Sequence, residues 1–162
     1  MMMKFYSNSL PVTSFNMGLI ITDFLQLTKF RLAISVVFSS LAGYLLAADK
    51  IETQVLLGLF FGGFFMVGAS NAFNQLIEKN KDSLMLRTQN RPLPGGRMSN
   101  ITAFTISTVL AFLGILILQY INYKTALFGV LSVFLYACIY TPLKSVTSLA
   151  VFVGAFPGAI PF

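Results

Sequence analysis

Long apolar blocks dominate this chain and limit what it can fold into. Four blocks are complete, Leu32–Ala48, Val55–Ile77, Ile101–Tyr120 and Thr125–Tyr140, and a fifth runs from about Val146 to Phe162. A helix of about 20 residues crosses the roughly 30 Å hydrocarbon layer of a bilayer. Only 10% of the residues are charged, whereas soluble domains carry about 25%. We therefore predict an all-α, polytopic transmembrane bundle, with residues 1–162 forming one membrane domain.

The charged and reactive residues exclude several classes of function. The net charge is +6, but the basic residues stand at the edges of apolar blocks, as topology signals do, so we predict no nucleic-acid partner. Cys138 is the single cysteine and cannot form an intramolecular disulfide. Histidine is absent from the sequence, which removes the commonest general base and metal ligand from this stretch.

The basic residues also predict the orientation in the membrane. Nine of them fall on one side of the predicted spans, namely Lys4, Lys29, Arg31, Lys79, Lys81, Arg87, Arg91, Arg97 and Lys144, and only Lys50 and Lys124 fall on the other. Because cytoplasmic loops carry the excess of Lys and Arg, we place the N-terminus in the cytoplasm. Residues 1–31 lack a signal-peptide pattern and are predicted to be a cytoplasmic lead-in, with an interfacial helix from Thr22 to Arg31.

The chemistry is predicted where the second span continues past the membrane. Asn74, Glu78 and Asp82 have the spacing i, i+4 and i+8, so they share one helix face. Mg²⁺ prefers such oxygen ligands and completes its shell with waters and substrate phosphates. The guanidinium groups of Arg87 and Arg91 suit phosphate oxygens. The alternative is a solvated helix end with ordinary i, i+3 and i+4 charge pairs.

Two further features favour a binding site over a solvated end. Asn71 and Asn74 lie within the apolar block, where amides are costly unless they make hydrogen bonds. The Pro- and Gly-rich stretch from Arg91 to Gly96 should follow the end of this helix. We therefore expect the basic residues to lie on a loop that can fold over the carboxylate face.

The same residues resemble the first aspartate-rich motif of the UbiA prenyltransferase superfamily. The matching run is Asn74-xxx-Glu78-xxx-Asp82-xx-Met85-x-Arg87-Thr-xx-Arg91-Pro-Leu-Pro, in the version found in the heme-farnesylating branch. Leu27-Thr-Lys29-Phe-Arg31 resembles the start of the first span, and Tyr140-Thr-Pro-Leu-Lys144 with Gly154-Ala-Phe-Pro-Gly-Ala-Ile-Pro161 resembles the turn before the fifth helix and that helix. The resemblance covers about residues 23–162, roughly the first half of the family's chain.

This resemblance implies a nine-helix bundle that transfers a farnesyl group from farnesyl diphosphate to heme b and yields heme O. It assigns Asn74, Glu78 and Asp82 to Mg²⁺ and the diphosphate, with the two carboxylates as the catalytic and metal-binding groups. Arg87, Arg91 and Lys144 would neutralise the leaving diphosphate. It also implies a bacterial inner membrane and an association with the proteins that mature terminal-oxidase heme.

Some features depart from the family or leave alternatives open. Asn80 replaces a common Asp, Glu78 replaces a more usual Asp, and Ser145 replaces a common Arg after Lys144. The second acidic motif and the family's histidines are absent, and since the last span stops at Phe162 we expect the chain to be part of a longer protein, inactive alone. A quinone-pathway aromatic prenyltransferase of the same fold, or a non-catalytic or transporter-like bundle, is the alternative. A transporter should place its charges near the middle of the membrane, however, not at one edge.

Overall fold

The structure, a computed structural model, describes residues 17–159, apart from the side chain of Pro157. This part of the chain is helical and contains no strand: its helices are α1 (Met17–Leu27), α2 (Phe30–Ala47), α3 (Thr53–Asp82), α4 (Asn100–Ile121), α5 (Tyr123–Phe134), α6 (Thr141–Leu143) and α7 (Ala150–Ala159), and a π-helical segment (Leu135–Tyr140) joins α5 to α6. The predictions for residues 1–16, and for the last three residues of the fifth span, lie outside the described residues.

Among residues 17–159, four helices are long and apolar enough to cross a membrane, as predicted. They are α2, α3, α4 and the continuous run Tyr123–Leu143, which joins α5, the π-helical segment and α6. The all-α membrane bundle is therefore confirmed. Helix α3 has 30 residues because it continues without a break from the apolar block to Asp82. Helix α7 begins at Ala150, later than the predicted Val146, because the chain first turns through Leu143–Thr147.

Helix α3 is the centre of the bundle and packs most extensively against α4 and then α2. Glycine allows the close approach of α3 and α4: a Cβ at Gly62 would lie 2.7 Å from Cδ2 of Leu118. Phe60 and Phe61, on the same stretch of α3, are exposed at the bundle surface. The Phe-rich stretch around them therefore combines helix packing with an apolar outer surface, as small residues at membrane helix interfaces allow.

A tight corner separates α1 from α2. The predicted interfacial helix from Thr22 to Arg31 is wrong at its C-terminal end, because α1 ends at Leu27 and Lys29 adopts a left-handed conformation with φ of 49°. That conformation is uncommon for a residue with a Cβ. The corner is held from α3, where Asn71 Nδ2 donates to the Thr28 carbonyl (3.1 Å) and Gln75 Nε2 donates to the carbonyls of Gln26 (2.8 Å) and Leu27 (3.0 Å).

Candidate functional site

One buried face of α3 carries the predicted metal and phosphate ligands. Asn74, Glu78 and Asp82 are all buried, at 1%, 9% and 5% exposure, whereas Asn80 between them is exposed. The helix therefore places the three predicted side chains on one side, as their spacing requires. Two carboxylates at this depth need partners, since an unpaired buried charge is expensive.

Lys144 is the partner of Glu78. Its ammonium donates to Oε2 of Glu78 at 2.7 Å and approaches Oδ1 of Asn74 at 3.5 Å. The same Asn74 oxygen accepts a hydrogen bond of 2.9 Å from the hydroxyl of Thr141, which is also buried. Residues at the end of α3 and around α6, nearly 70 positions apart in sequence, thus converge on one point.

The π-helical segment brings these α6 residues to α3. A π-turn widens the helix by one residue and often occurs at functional sites. Tyr136 and Tyr140 stack on this segment with ring centroids 5.4 Å apart, and the Lys144 ammonium lies 5.6 Å from the Tyr140 centroid. The Tyr136 carbonyl accepts the Thr141 backbone N–H at the end of this segment, and it also accepts a hydrogen bond of 2.8 Å from the Thr141 hydroxyl.

Arg91 is the partner of Asp82. Its Nη1 donates to Oδ2 of Asp82 at 2.7 Å. The loop that carries Arg91 returns to the end of α3 through successive turns, and the buried hydroxyl of Thr88 donates to the Asp82 backbone carbonyl at 2.9 Å. This loop therefore folds over the carboxylate face. We call Asn74, Glu78, Asp82, Arg91 and Lys144 the polar cluster.

A second ion pair anchors the same loop to α1. The guanidinium of Arg97 lies 2.9 Å from Oδ1 of the buried Asp23, and it also donates to the Asn90 carbonyl at 3.1 Å. Leu93 is fully buried and packs with Leu27 in one small core. The sequence offered no signal for this contact, because Asp23 and Arg97 are 74 positions apart.

Two residues differ from what the sequence alone suggested about the site. Arg87, a predicted diphosphate ligand, is exposed and makes no hydrogen bond or ion pair with any residue between 17 and 159, so its role stays a prediction. Lys29 was not predicted as a site residue, yet its charge interacts with Arg91, Lys144, Glu78 and Asp82. Burial, and then the positive charges of Arg91 and Lys144, lower the pKa of the Lys29 ammonium below its usual value.

The carboxylates of the polar cluster have the chemistry that Mg²⁺ requires. Each carboxylate accepts a hydrogen bond from a cation at one oxygen, Oε2 of Glu78 or Oδ2 of Asp82, and its other oxygen makes no hydrogen bond with the described residues. No group of three or more acidic, Cys or His side chains that could hold a metal occurs among residues 17–159. Mg²⁺ commonly takes one or two carboxylates from a protein and its remaining ligands from water and substrate phosphate.

An apolar cavity of about 520 Å³ adjoins the polar cluster. Its walls come from α2, α3, α4, α5, the π-helical segment and α7, and Asn71 and Tyr136 line it on the side of the cluster. Along α2 it extends from Leu32 to Ala47, a length of about 22 Å at 1.5 Å per residue. At its far end Tyr44, whose hydroxyl accepts from the Glu52 amide at 3.0 Å, forms part of the wall.

The sequence model of the UbiA prenyltransferase family matches residues 36–162. The chain belongs to this family. The match includes both the α3 face with its carboxylates and the α6 region with Lys144, which are the two halves of the polar cluster. The resemblance drawn from the aspartate-rich run is therefore confirmed, and the four apolar helices of this UbiA family member make it an integral membrane protein.

Curated relatives of this UbiA family member share one name. The protoheme IX farnesyltransferase of Flavobacterium psychrophilum is 64% identical over 146 residues, which cover 88% of this chain and 49% of the relative. That of Christiangramia forsetii is 62% identical over 143 residues, 88% of this chain and 48% of the relative. The mitochondrial protoheme IX farnesyltransferase of Homo sapiens is 38% identical over 137 residues, 84% and 31% of the two chains.

This UbiA family member therefore spans about half the length of the bacterial relatives it matches. The comparison with solved structures found no match.

Proposed function

We propose that this protein takes part in transferring a farnesyl group from farnesyl diphosphate to heme b, which yields heme O. The observation that carries the proposal is the polar cluster of paired carboxylates and cations one helical turn from Asn71, which lines an apolar cavity of about 520 Å³. A prenyl diphosphate has the same two parts, an anionic head and a long apolar tail. The shared name of the relatives supports heme b as the acceptor.

The polar cluster is proposed to bind the diphosphate head. Arg91 and Lys144 are each neutralised by a carboxylate here, and both can turn toward phosphate oxygens when these arrive. The guanidinium of Arg91 offers two parallel N–H groups, whereas the Lys144 ammonium acts as a point charge. Arg87, on the same loop, is proposed to add a third cation. Asn74 would orient Lys144 through the contact that its Oδ1 makes with the ammonium.

Glu78 and Asp82 are proposed to hold Mg²⁺ with their unpaired oxygens. When bound, the ion would supply positive charge that lets two carboxylates and a diphosphate share one site. The protein's own contribution is to fix the two carboxylates one helical turn apart on a rigid α3. Their existing pairs with Lys144 and Arg91 orient them before the substrate binds.

The apolar cavity is proposed to hold the farnesyl chain. Twelve carbons in the extended main chain span about 14 Å with ordinary C–C bonds of roughly 1.5 Å, and the cavity runs about 22 Å along α2. Tyr136 lines the cavity and stacks on Tyr140, over whose ring the Lys144 ammonium lies, so the Tyr136 ring would lie close to the first carbon of the chain. An aromatic face beside a developing allylic cation is favourable.

The reaction then depends on charge at the leaving group. The bond between the allylic carbon and the diphosphate oxygen breaks, and the cations of the polar cluster stabilise the charge that appears on the departing oxygen. The allylic carbon forms a bond to a vinyl carbon of heme b. Water adds to the other vinyl carbon and loses a proton, which leaves a hydroxyethylfarnesyl side chain.

The orientation of the protein follows from the same proposal. The polar cluster lies at the membrane edge that carries most Lys and Arg residues, so we place it and the N-terminus in the cytoplasm of a bacterial inner membrane. Residues 1–162 are proposed to belong to one membrane domain. Heme b reaches this site from the cell's heme supply, and association with proteins that mature terminal-oxidase heme would deliver the product.

Expression of the intact protein in a bacterium without heme-farnesylating activity tests the proposal. We expect heme O in the extracted hemes by chromatography and mass spectrometry, and none with an empty vector. Accumulation of a prenylated quinone precursor without heme O would instead support the aromatic prenyltransferase. A protein that is inserted in the membrane and yields neither product would contradict both.

A further inference from the structure

Lys29 is a partly buried cation of the site region that has no anionic partner among residues 17–159, whereas Arg87, which is also unpaired, is exposed. Arg91 pairs with Asp82, Lys144 with Glu78, and no hydrogen bond or ion pair reaches the Lys29 ammonium. Its charge nevertheless interacts with all four of these side chains. Three cations, Lys29, Arg91 and Lys144, and two carboxylates therefore lie within electrostatic range of one another, and Lys29, which carries the unpaired charge, is partly buried.

The backbone holds Lys29 in a conformation that it would not adopt by preference. Within residues 17–159 it is the only residue other than glycine with a positive φ, at 49°. Such strain persists only where the surroundings impose it, and it is concentrated at functional positions. Here Asn71 and Gln75 impose it by binding the carbonyls of the three residues before Lys29.

The same contacts fix the position of Lys29 relative to the polar cluster. Asn71, which holds the Thr28 carbonyl, precedes Asn74 by three residues and Glu78 by seven, so all three share one face of α3. The corner is thus anchored about 4.5 Å along the helix axis from Asn74, at a rise of 1.5 Å per residue. A flexible four-carbon side chain that starts there can reach the carboxylate face.

We propose that Lys29 is a further phosphate-binding residue, which closes the polar cluster from the α1–α2 corner and contacts a diphosphate group bound there. This inference rests on the proposed function and adds a ligand that the aspartate-rich run does not contain. Arg91 and Lys144 must exchange carboxylate oxygens for phosphate oxygens when an anion binds. Lys29 has no carboxylate to give up, so its interaction energy with the anion is the least offset. Its burial beside two other cations costs free energy until then.

The test measures the binding of inorganic pyrophosphate with Mg²⁺ to the intact protein by calorimetry. Lys29→Asn is the main variant, because Asn tolerates the left-handed conformation and removes the charge. Lys29→Arg keeps a cation at the same place. Lys81→Asn is the matched control, since Lys81 is exposed near the end of the same α3 and has no partner in the polar cluster.

We expect Lys29→Asn to weaken pyrophosphate binding about tenfold or more, the loss of one charge-assisted contact. Lys29→Arg should stay within about threefold of the parent, and Lys81→Asn should not differ from it. In the transfer assay, Lys29→Asn should raise KM for farnesyl diphosphate and leave KM for heme b unchanged. If Lys29 had only a structural role, the variant would not change KM for farnesyl diphosphate alone.

Three results would overturn the inference. If Lys29→Asn binds pyrophosphate as the parent does while Lys144→Gln binds it poorly, Lys29 is not a phosphate-binding residue. The proposed function is then unaffected. If Lys29→Asn and Lys29→Arg lose equal pyrophosphate affinity and both unfold at a lower temperature, Lys29 only stabilises the α1–α2 corner. A parent protein that binds neither pyrophosphate nor farnesyl diphosphate contradicts the proposed function itself, and this inference with it.

Discussion

Gly154 lies where α7 passes the ring of Tyr140, at the back of the polar cluster. A Cβ at this position would lie 2.7 Å from Cε2 and 2.9 Å from Cδ2 of that ring. The ring has little freedom to move away, because it stacks on Tyr136 and lies beneath the Lys144 ammonium. Gly154→Ala therefore forces α7 and the tyrosine pair apart by several tenths of an ångström at least.

Gly158 is a matched control one turn further along α7. It also lines the cavity, but no atom lies within 4 Å of a Cβ built on it. Replacing glycine by alanine inside a helix otherwise stabilises by about 0.5–1 kcal/mol, and this gain is common to both variants. The difference in the free energy of unfolding between the two variants therefore isolates the clash with Tyr140. We expect this clash to cost about 1–3 kcal/mol, the usual cost of overpacking.

The two variants are compared in the 162-residue chain in lipid nanodiscs, heated in steps and assayed by size-exclusion chromatography. At roughly 2–4 °C per kcal/mol for a chain of this size, Gly154→Ala should lose its folded peak about 2–12 °C below Gly158→Ala. Equal midpoints, or a more stable Gly154→Ala, would refute the close packing of α7 on the π-helical segment. They would also remove the reason for placing Tyr140 and Lys144 where they are.

Three other predictions concern topology, metal binding and completeness of the site. In a background without the native cysteine, Ser83→Cys should resist a membrane-impermeant thiol reagent in intact cells, and labelling would contradict a cytoplasmic loop. In the intact protein, Glu78→Gln or Asp82→Asn should abolish heme O formation because the Mg²⁺ site loses an anionic ligand, while the exposed Asn80→Ala has far less effect; near-normal heme O yield from both carboxylate variants would sink the assignment. Residues 1–162 expressed alone should yield no heme O, since two carboxylates are few for a diphosphate with two Mg²⁺ ions; a clear heme O peak would show that they suffice.

The sequence predicted the features that depend on local periodicity. Apolar blocks of membrane length placed the four spans, because a helix must satisfy its own backbone in lipid. The spacing of Asn74, Glu78 and Asp82 put them on one face, because positions i, i+4 and i+8 of a helix lie one above the other. All three are buried there. The aspartate-rich run also led to the UbiA family, which the match over residues 36–162 confirms.

Other predictions from the sequence depended on neighbours that it could not show. The helix expected to run to Arg31 stops at Leu27, because amides of α3 bind the last carbonyls of α1 and stabilise a left-handed Lys29. Asn71, expected to be functional for its depth in the apolar block, makes its hydrogen bond to this corner. Local propensity carries no information about such a contact, since the partners are more than 40 residues apart.

The sequence by itself therefore determined the class of fold, the number of complete spans and the face that carries the carboxylates. Each of these follows from residues within one helix, whose geometry is the same wherever the helix packs. Only the tertiary structure decided which cation pairs with which carboxylate: Lys144 with Glu78 and Arg91 with Asp82. The tertiary structure also leaves Arg87 exposed and places Lys29 within range of the charges of the site. The packing of the helices and the turns between them determine which charges on different elements lie close together.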